Sequence, residues 1–215
     1  MVKHPKMKYV EEPKDKEKFT AEFDTFYTSF ANVYSFALKL FPFWKRWLKA
    51  TLPHIRGPRV LEVSFGTGAL LQEYASRFET YGIDYNEKFV HLLQEKLTEK
   101  GLSADIRQGD VQALPYDDAF FDTLVNTMAF SAYPDGVKAM AEMHRALKPG
   151  GRLVIVDIDY PRDRNWLGMQ ATKAWIAMGD IIRDMGPLFD QFNFTYNEEE
   201  IGGFGSVHLW VAEKK

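Results

Sequence analysis

Three acidic residues and a glycine turn carry the chemistry of this sequence: Glu62 in Val60-Leu61-Glu62-Val63, the turn Ser64-Phe65-Gly66-Thr67-Gly68, then Asp84 and Asp110. Glycines at 66 and 68 let the backbone bend sharply and approach a ligand where a side chain would otherwise stand. Asp84 follows the turn at roughly the interval at which an acid grips the ribose hydroxyls of a bound nucleotide. Asp110, followed by the apolar Val111, can accept a hydrogen bond from an adenine amino group while its neighbour covers the ring. Each feature also has a plain structural alternative: a helix-initiating loop for the glycines, an N-cap of the helix beginning near Glu87 for Asp84, and capping or turn chemistry for Asp110. A random set of turns would rarely place such features at three strand ends in series, and the series favours a nucleotide-like ligand.

Alternating strands and helices must position these residues. The spacing predicts strands at "RVLEVS", "TYGID", "ADIRQGD", "FFDTLVNTM" and "GRLVIVDID". It predicts helices over Ala69 to Arg77, Glu87 to Lys100 and Asp135 to Leu147, with Lys148-Pro149-Gly150-Gly151 as a stop signal before the fifth strand. Such units build an α/β fold: a Rossmann-like, doubly wound, mainly parallel sheet whose ligands sit beyond the carboxyl ends of the strands. The last stretch, "FNFTYNEEEIGGFGSVHLWVAEKK", reads as two strand-like runs flanking an acidic, glycine-containing connection, a terminal antiparallel pair.

Before this region, Phe19, Phe23, Phe26 and Phe30 follow the step of one helical face, with a break near Pro42 and a second short helix after it. Residues 1–18 read as a flexible N-terminal arm and residues 19–215 as one domain. Within that domain, residues 19–57 form an N-terminal helical cap and residues 161–192 a lid-like helical insertion.

With 215 residues, one domain of ordinary size accounts for the whole chain. A formal charge of −3 gives no general reason to expect nucleic acid as a partner. The absence of cysteine excludes disulfides, thiolate nucleophiles and cysteine-ligated metals. The first residues lack the apolar core of a secretory signal, and no run of about eighteen apolar residues occurs, so the expected location is cytoplasmic.

On these residues the chain resembles a known family. "VLEVSFGTGALL", "YGIDYNEKFV", "QGDVQALPYDDAFFDTLVNTMAF" and "MHRALKPGGRLVIVD" are similar to the successive motifs of class I S-adenosylmethionine-dependent methyltransferases. The similarity is to the small-molecule branch containing the ubiquinone/menaquinone and phospholipid N-methyltransferases, and it covers roughly Phe26 to Asp157. It implies a seven-stranded sheet with an antiparallel C-terminal strand, S-adenosylmethionine as cofactor, and methyl transfer. Glu62 then matches the acid that orients the glycine loop and reaches the methionine amino group. Ser64, Phe65, Gly66, Thr67 and Gly68 match the loop beside the methionyl and ribose parts, Asp84 the ribose acid, and Tyr85 the residue against adenine. Asp110 and Val111 match the adenine-edge pair, and Asn126, Thr127 and Met128 the end of the fourth strand next to the sulfonium. Tyr34, in "FANVYS", matches a tyrosine that closes over the cofactor.

One departure stands out: the family usually has glycine where Ser64 stands, so the serine needs ordinary dihedrals and a hydroxyl facing the ligand. A nicotinamide-dependent oxidoreductase fits less well, because its fingerprint wants a small residue at the place of Leu71.

The acceptor is expected to be a small, hydrophobic, lipid-like or quinone-like molecule. "NTMAF" differs from the sequences that grip planar amino groups in nucleic-acid and protein-amide methylation. The five histidines are scattered without metal-ligand spacing, so no metal is expected. His144 reads as structural, and no general base is named. Lys39, Lys45, Arg46 and Lys49 beside Trp44 and Trp47 offer a weak contact for an anionic membrane surface. A partner subunit or sensor that binds the cofactor without turnover is the alternative function.

Overall fold

The structure, a computed structural model, describes residues 9–22, 25 and 42–215. Phe23, Phe26, Phe30 and Tyr34 of the expected helical cap lie outside the described residues. A helix α1 includes residues 16–22. From Pro42 the order is α2 (Pro42–Lys49), β1 (Arg59–Val63), α3 (Leu71–Tyr74), β2 (Glu79–Asp84), α4 (Glu87–Glu99), β3 (Asp105–Gln108) and β4 (Phe121–Thr127). There follow α5 (Gly136–Ala146), β5 (Leu147–Ile158), α6 (Trp166–Ala177), α7 (Met185–Gln191), β6 (Phe194–Gly202) and β7 (Val207–Lys214).

The strands form one sheet in the order β3-β2-β1-β4-β5-β7-β6. Strands β1 to β5 pair in parallel, while β7 runs antiparallel to both β5 and β6. The order reverses between β1 and β4, which opens a crevice at their carboxyl ends, where open sheets of this kind hold ligands. The central parallel strands β1, β4 and β5 carry buried apolar runs because both faces of the sheet are covered there, whereas the edge strand β3 is polar. One face packs Leu61, Leu124, Leu153 and Ile155 against Met140 and Met143 of α5. The other packs Val60 and Val125 against Leu71 of α3 and Leu93 of α4.

Local sequence sets the boundaries. Asn86 caps α4 by accepting from the amides of Lys88 and Phe89, and Asp135 caps α5 through Lys138, each such cap being worth about 1 kcal/mol. Lys214 of β7 donates to the carbonyls of His144 and Leu147, placing a cation on the C-terminal end of α5.

The structure departs from expectation in three elements. The helix expected over Ala69 to Arg77 is a single turn, Leu71–Tyr74. The Lys148-Pro149-Gly150-Gly151 stop lies inside β5: Phe121 pairs with Leu147 and Thr123 with Arg152, so these four residues form an excursion, with Gly150 at φ +72°. The acidic run Glu198–Glu200 belongs to β6, and the reversal is made by Gly203–Gly205, all at positive φ.

Within the segment expected as a solvated arm, Tyr9 and Val10 pack beside Ile158, Tyr160 and Ile182, and Val10 donates its amide to Ile182. Glu12 accepts from the Gly136 amide and from Arg183. These contacts tie the segment to the insertion between β5 and β6.

Candidate active site

The crevice between β1 and β4 is a cleft lined by Glu62, Ser64, Phe65, Gly66 and Thr67 after β1, and by Asp84, Tyr85 and Asn86 after β2. Asp110 and Val111 close it after β3, and Thr127 and Met128 after β4. Eleven of the fourteen residues singled out from sequence are therefore on its wall: Glu62, Ser64, Phe65, Gly66, Thr67, Asp84, Tyr85, Asp110, Val111, Thr127 and Met128. Tyr34 lies outside the described residues.

Gly68 and Asn126 are not among the residues that line the cleft. A Cβ built on Gly68 would stand 2.3 Å from Leu93 Cδ1, so this glycine, at φ +66°, lets α4 pack against the turn and does not line the cleft. A Cβ on Gly66, at φ +54°, meets nothing within 4 Å, so Gly66 is the one that leaves room for a ligand. Asn126 is buried behind the wall, its Nδ2 donating to the Tyr133 hydroxyl at 2.7 Å and to the Val63 carbonyl at 3.3 Å.

Asp84 holds the turn. Its Oδ2 accepts the Gly66 amide at 2.8 Å and its Oδ1 the Asn86 amide at 2.9 Å. The capping of α4 falls to Asn86, so Asp84 is not the N-cap that the sequence left open. Asp110 caps the short turn Val111–Ala113 through the Gln112 amide and also lines the cleft.

Glu62 differs from expectation in its partner. Its Oε2 accepts from the Tyr74 hydroxyl at 2.8 Å, and the turn amide goes to Asp84. Burial pushes Glu62 up to about 8, against the pull of Tyr74 and with the charge of Asp84 adding to the rise. A carboxyl held so far from its usual range is poised to respond to a cation entering the cleft.

Ser64 departs in backbone and side chain. Its φ is +55°, a left-handed conformation that L-residues adopt at a cost, and its Oγ lies 2.8 Å from the Tyr133 hydroxyl. Met128, at the tip of the neighbouring β4, is also left-handed at φ +53°.

The cleft is also lined by Trp44 and Leu48 of α2 and by Ala129, Ala132, Tyr133 and Pro134 after β4, most of them apolar. These residues have no motif: Trp44 comes from an aromatic-dense stretch in which nothing distinguishes a wall residue from a core one. Tyr133 follows the β4 tip by a turn, Phe130–Ala132, that the sequence pattern does not announce.

Away from the cleft, folding brings together residues that are distant in sequence. Asp159, Glu198 and His208 have ligand-type atoms within 4.8 Å of one another, so the histidines are less isolated than their spacing indicates. Arg162 bridges the two acids, and His208 bonds Glu198 through Nδ1 at 2.6 Å and the Gly205 carbonyl through Nε2 at 2.8 Å. Burial raises Asp159 to about 6. This is an ion-pair cluster anchoring the insertion to β6 and β7. His144 packs against Phe192 and Phe194, as a structural residue would.

Comparison with known proteins follows the same lines. Residues 61–155 match the family described as methyltransferase domain. The phosphatidylethanolamine N-methyltransferase of Cereibacter sphaeroides is 37% identical over 120 residues, covering 54% of this chain and 59% of that protein. The demethylmenaquinone methyltransferase of Deinococcus radiodurans is 36% identical over 121 residues, covering 55% and 50%. The chain thus spans about half the length of the curated relatives it matches. A SAM-dependent methyltransferase of Thermotoga maritima aligns over 88% of this chain and 98% of its own, with a TM-score of 0.70 and 17% identity. The geranyl diphosphate C-methyltransferase of Streptomyces coelicolor A3(2) aligns over 80% and 77%, with a TM-score of 0.68 and 13% identity. At such identities these two share the fold.

Proposed function

We propose that this chain, whose residues 61–155 match a methyltransferase domain, is a class I S-adenosylmethionine-dependent methyltransferase that transfers a methyl group from S-adenosylmethionine to a small, hydrophobic, lipid-like or quinone-like acceptor. The observation that carries this reading is the convergence of Glu62, the open Gly66 turn, Asp84 and Asp110 on one cleft. The residues present fit the cofactor. Glu62 is a buried acid suited to an ammonium group, Gly66 leaves the space that a side chain would fill, and Tyr85 offers a half-exposed ring beside the Asp110–Val111 wall.

When bound, S-adenosylmethionine supplies a methyl group activated by its sulfonium. The protein's own contribution is alignment and exclusion of water. Asp84 fixes the turn through two backbone amides, and the β4 tip at Thr127 and Met128 lines the same cleft. Holding two reactants in line recovers on the order of 7–11 kcal/mol of barrier. Among the described residues no histidine lines the cleft, so no general base is assigned, which suits an acceptor that is already nucleophilic.

The apolar residues Trp44, Leu48, Ala129, Ala132 and Pro134 support a hydrophobic acceptor. The relatives that act on phosphatidylethanolamine and demethylmenaquinone support the lipid or quinone class. The test is release of S-adenosylhomocysteine from S-adenosylmethionine with a panel holding a quinol, an aminophospholipid and a hydrophilic amine. Turnover with the first or second supports the reading. Tight S-adenosylmethionine binding without turnover of any of them would point to a sensor or partner subunit, and turnover of the hydrophilic amine alone would overturn the acceptor class.

A further inference from the structure

Ser64 stands in the left-handed region at φ +55°, where a Cβ is costly and glycine is free. Something must hold it there, and its side chain shows what does: Ser64 Oγ lies 2.8 Å from the hydroxyl of Tyr133.

Counting hydrogens shows that the phenol can be the donor in that bond. The Tyr133 oxygen accepts from Asn126 Nδ2 at 2.7 Å. Reversing the Asn126 amide would set its oxygen 3.3 Å from the Val63 carbonyl, oxygen against oxygen, so the nitrogen belongs there. The phenol hydrogen is then available to Ser64 Oγ, and the Ser64 hydroxyl can equally donate to the second lone pair of the phenol oxygen. Burial keeps the phenol protonated by raising its pKa, so the donor persists at any ordinary pH.

The chain Asn126–Tyr133–Ser64 joins two neighbouring strand tips, since Val63 and Asn126 are register partners across β1 and β4. It also has a cost, because Asn126 Oδ1 is buried with no partner among the described residues. Native interiors rarely leave such an atom unsatisfied.

We propose that Tyr133 is a positioning residue for cofactor binding, acting through Ser64 to hold the glycine turn in its left-handed shape. This rests on reading the cleft as the S-adenosylmethionine site. Ser64 and Tyr133 both line that cleft, and the turn they brace presents Gly66 to Asp84. A serine at this place thus brings with it a requirement for the phenol.

The test is a set of variants read by calorimetry with S-adenosylmethionine and by thermal melting: Y133F, S64A, S64G and S64G/Y133F. Y133F and S64A should each weaken binding about five- to tenfold, the effect of losing one hydrogen bond. S64G should bind at least about threefold more tightly than S64A, because glycine reaches φ +55° without the brace. Adding Y133F to S64G should change affinity by less than about twofold, a strong departure from additivity. Equal affinities of S64A and S64G, or a Y133F loss that persists undiminished in S64G, would overturn the proposal. A loss of affinity matched by gross loss of melting temperature in Y133F leaves the decision to S64A against S64G, in which Tyr133 is intact. Wild-type protein that bound no S-adenosylmethionine would overturn the cofactor site itself and this role with it.

Discussion

The amide of Gly66 donates to Oδ2 of Asp84 at 2.8 Å, linking the turn after β1 to the tip of β2. One carboxylate thus organises the backbone of the turn before any ligand arrives, and the same residue lines the cleft. Its role in binding is inseparable from its role in shaping the loop.

Replacing Asp84 with alanine removes a charged acceptor that serves two amides. We expect S-adenosylmethionine affinity to fall by at least tenfold, in line with about 1.5–3 kcal/mol for hydrogen bonds to a charged group. Asp84→Asn should fall between alanine and wild type, since its one carbonyl oxygen can still take an amide hydrogen. Titration calorimetry reads both, and unchanged affinity in the alanine variant would remove Asp84 from the site.

The two glycines of the turn should separate by substitution. Gly68→Ala drives a methyl group against Leu93 and demands a left-handed alanine, so the cost appears as stability, about 2–4 kcal/mol. At about 2–4 °C per kcal/mol, that lowers the melting temperature by several degrees. Gly66→Ala has open space around its methyl group, so it should lose less stability and more ligand affinity. A reversed order in melting and calorimetry would contradict this division of labour.

Glu62 gives a pH dependence of defined sign. Folding raises it from 4.5 to about 8 by burial, so the folded state retains a proton that the unfolded chain releases. The ligand-free protein therefore loses stability as the pH rises from about 4.5 to 8, and does not regain it above. Glu62→Gln lacks this contribution. Urea unfolding of the two proteins at pH 5 and pH 8 should show the variant gaining on wild type with pH, and parallel profiles would refute the shift. Binding a ligand ammonium beside Glu62 favours its ionised form, so calorimetry near pH 7 in buffers of different ionisation enthalpy should report proton release that Glu62→Gln abolishes.

A second carboxyl behaves alike at lower pH. The Ser131 hydroxyl lies 2.8 Å from both Asp157 and Asp180, yet it has one hydrogen to give, so one acid must supply the other. Burial, with the neighbouring Asp157 charge, raises Asp180 to about 6; burial raises Asp157 too, but Asp157 also accepts the amides of Ser131 and Ile158, which favour its ionised form and leave Asp180 as the proton carrier. Its contribution to stability is present below about pH 3.8 and lost as the pH rises to about 6. Asp180→Asn can donate to Ser131 at every pH, so it should be more stable than wild type at pH 7 and converge with it near pH 4. A stability difference independent of pH would show that Asp180 is ionised throughout.

The alternation of buried runs with helical spacing makes the parallel sheet legible, because the central strands β1 and β4 and the second half of β5 are buried and read as apolar, while the edge strand β3 is polar. The acids at 84 and 110 are legible for a related reason: each stands at or just after the carboxyl end of a strand, where open parallel sheets place ligands. What stays hidden depends on long-range geometry. Gly68 looks like Gly66 in sequence, and only the approach of Leu93 tells packing from ligand space. Ser64 reads as a substitution to be tolerated, since its partner Tyr133 is 69 residues away. Glu62 appears to serve the turn next to it, whereas its bond goes to Tyr74 one helix later. The turn Gly203–Gly205 is masked by the acidic run before it, whose charges look like a loop and belong to an edge strand.

That edge strand has a consequence beyond this fold. β6 borders the sheet on one side with an open row of backbone donors and acceptors, and three consecutive glutamates, Glu198 to Glu200, run along it. Two copies meeting margin to margin would bring like charges face to face, so the acidity of β6 guards against fibre-like stacking.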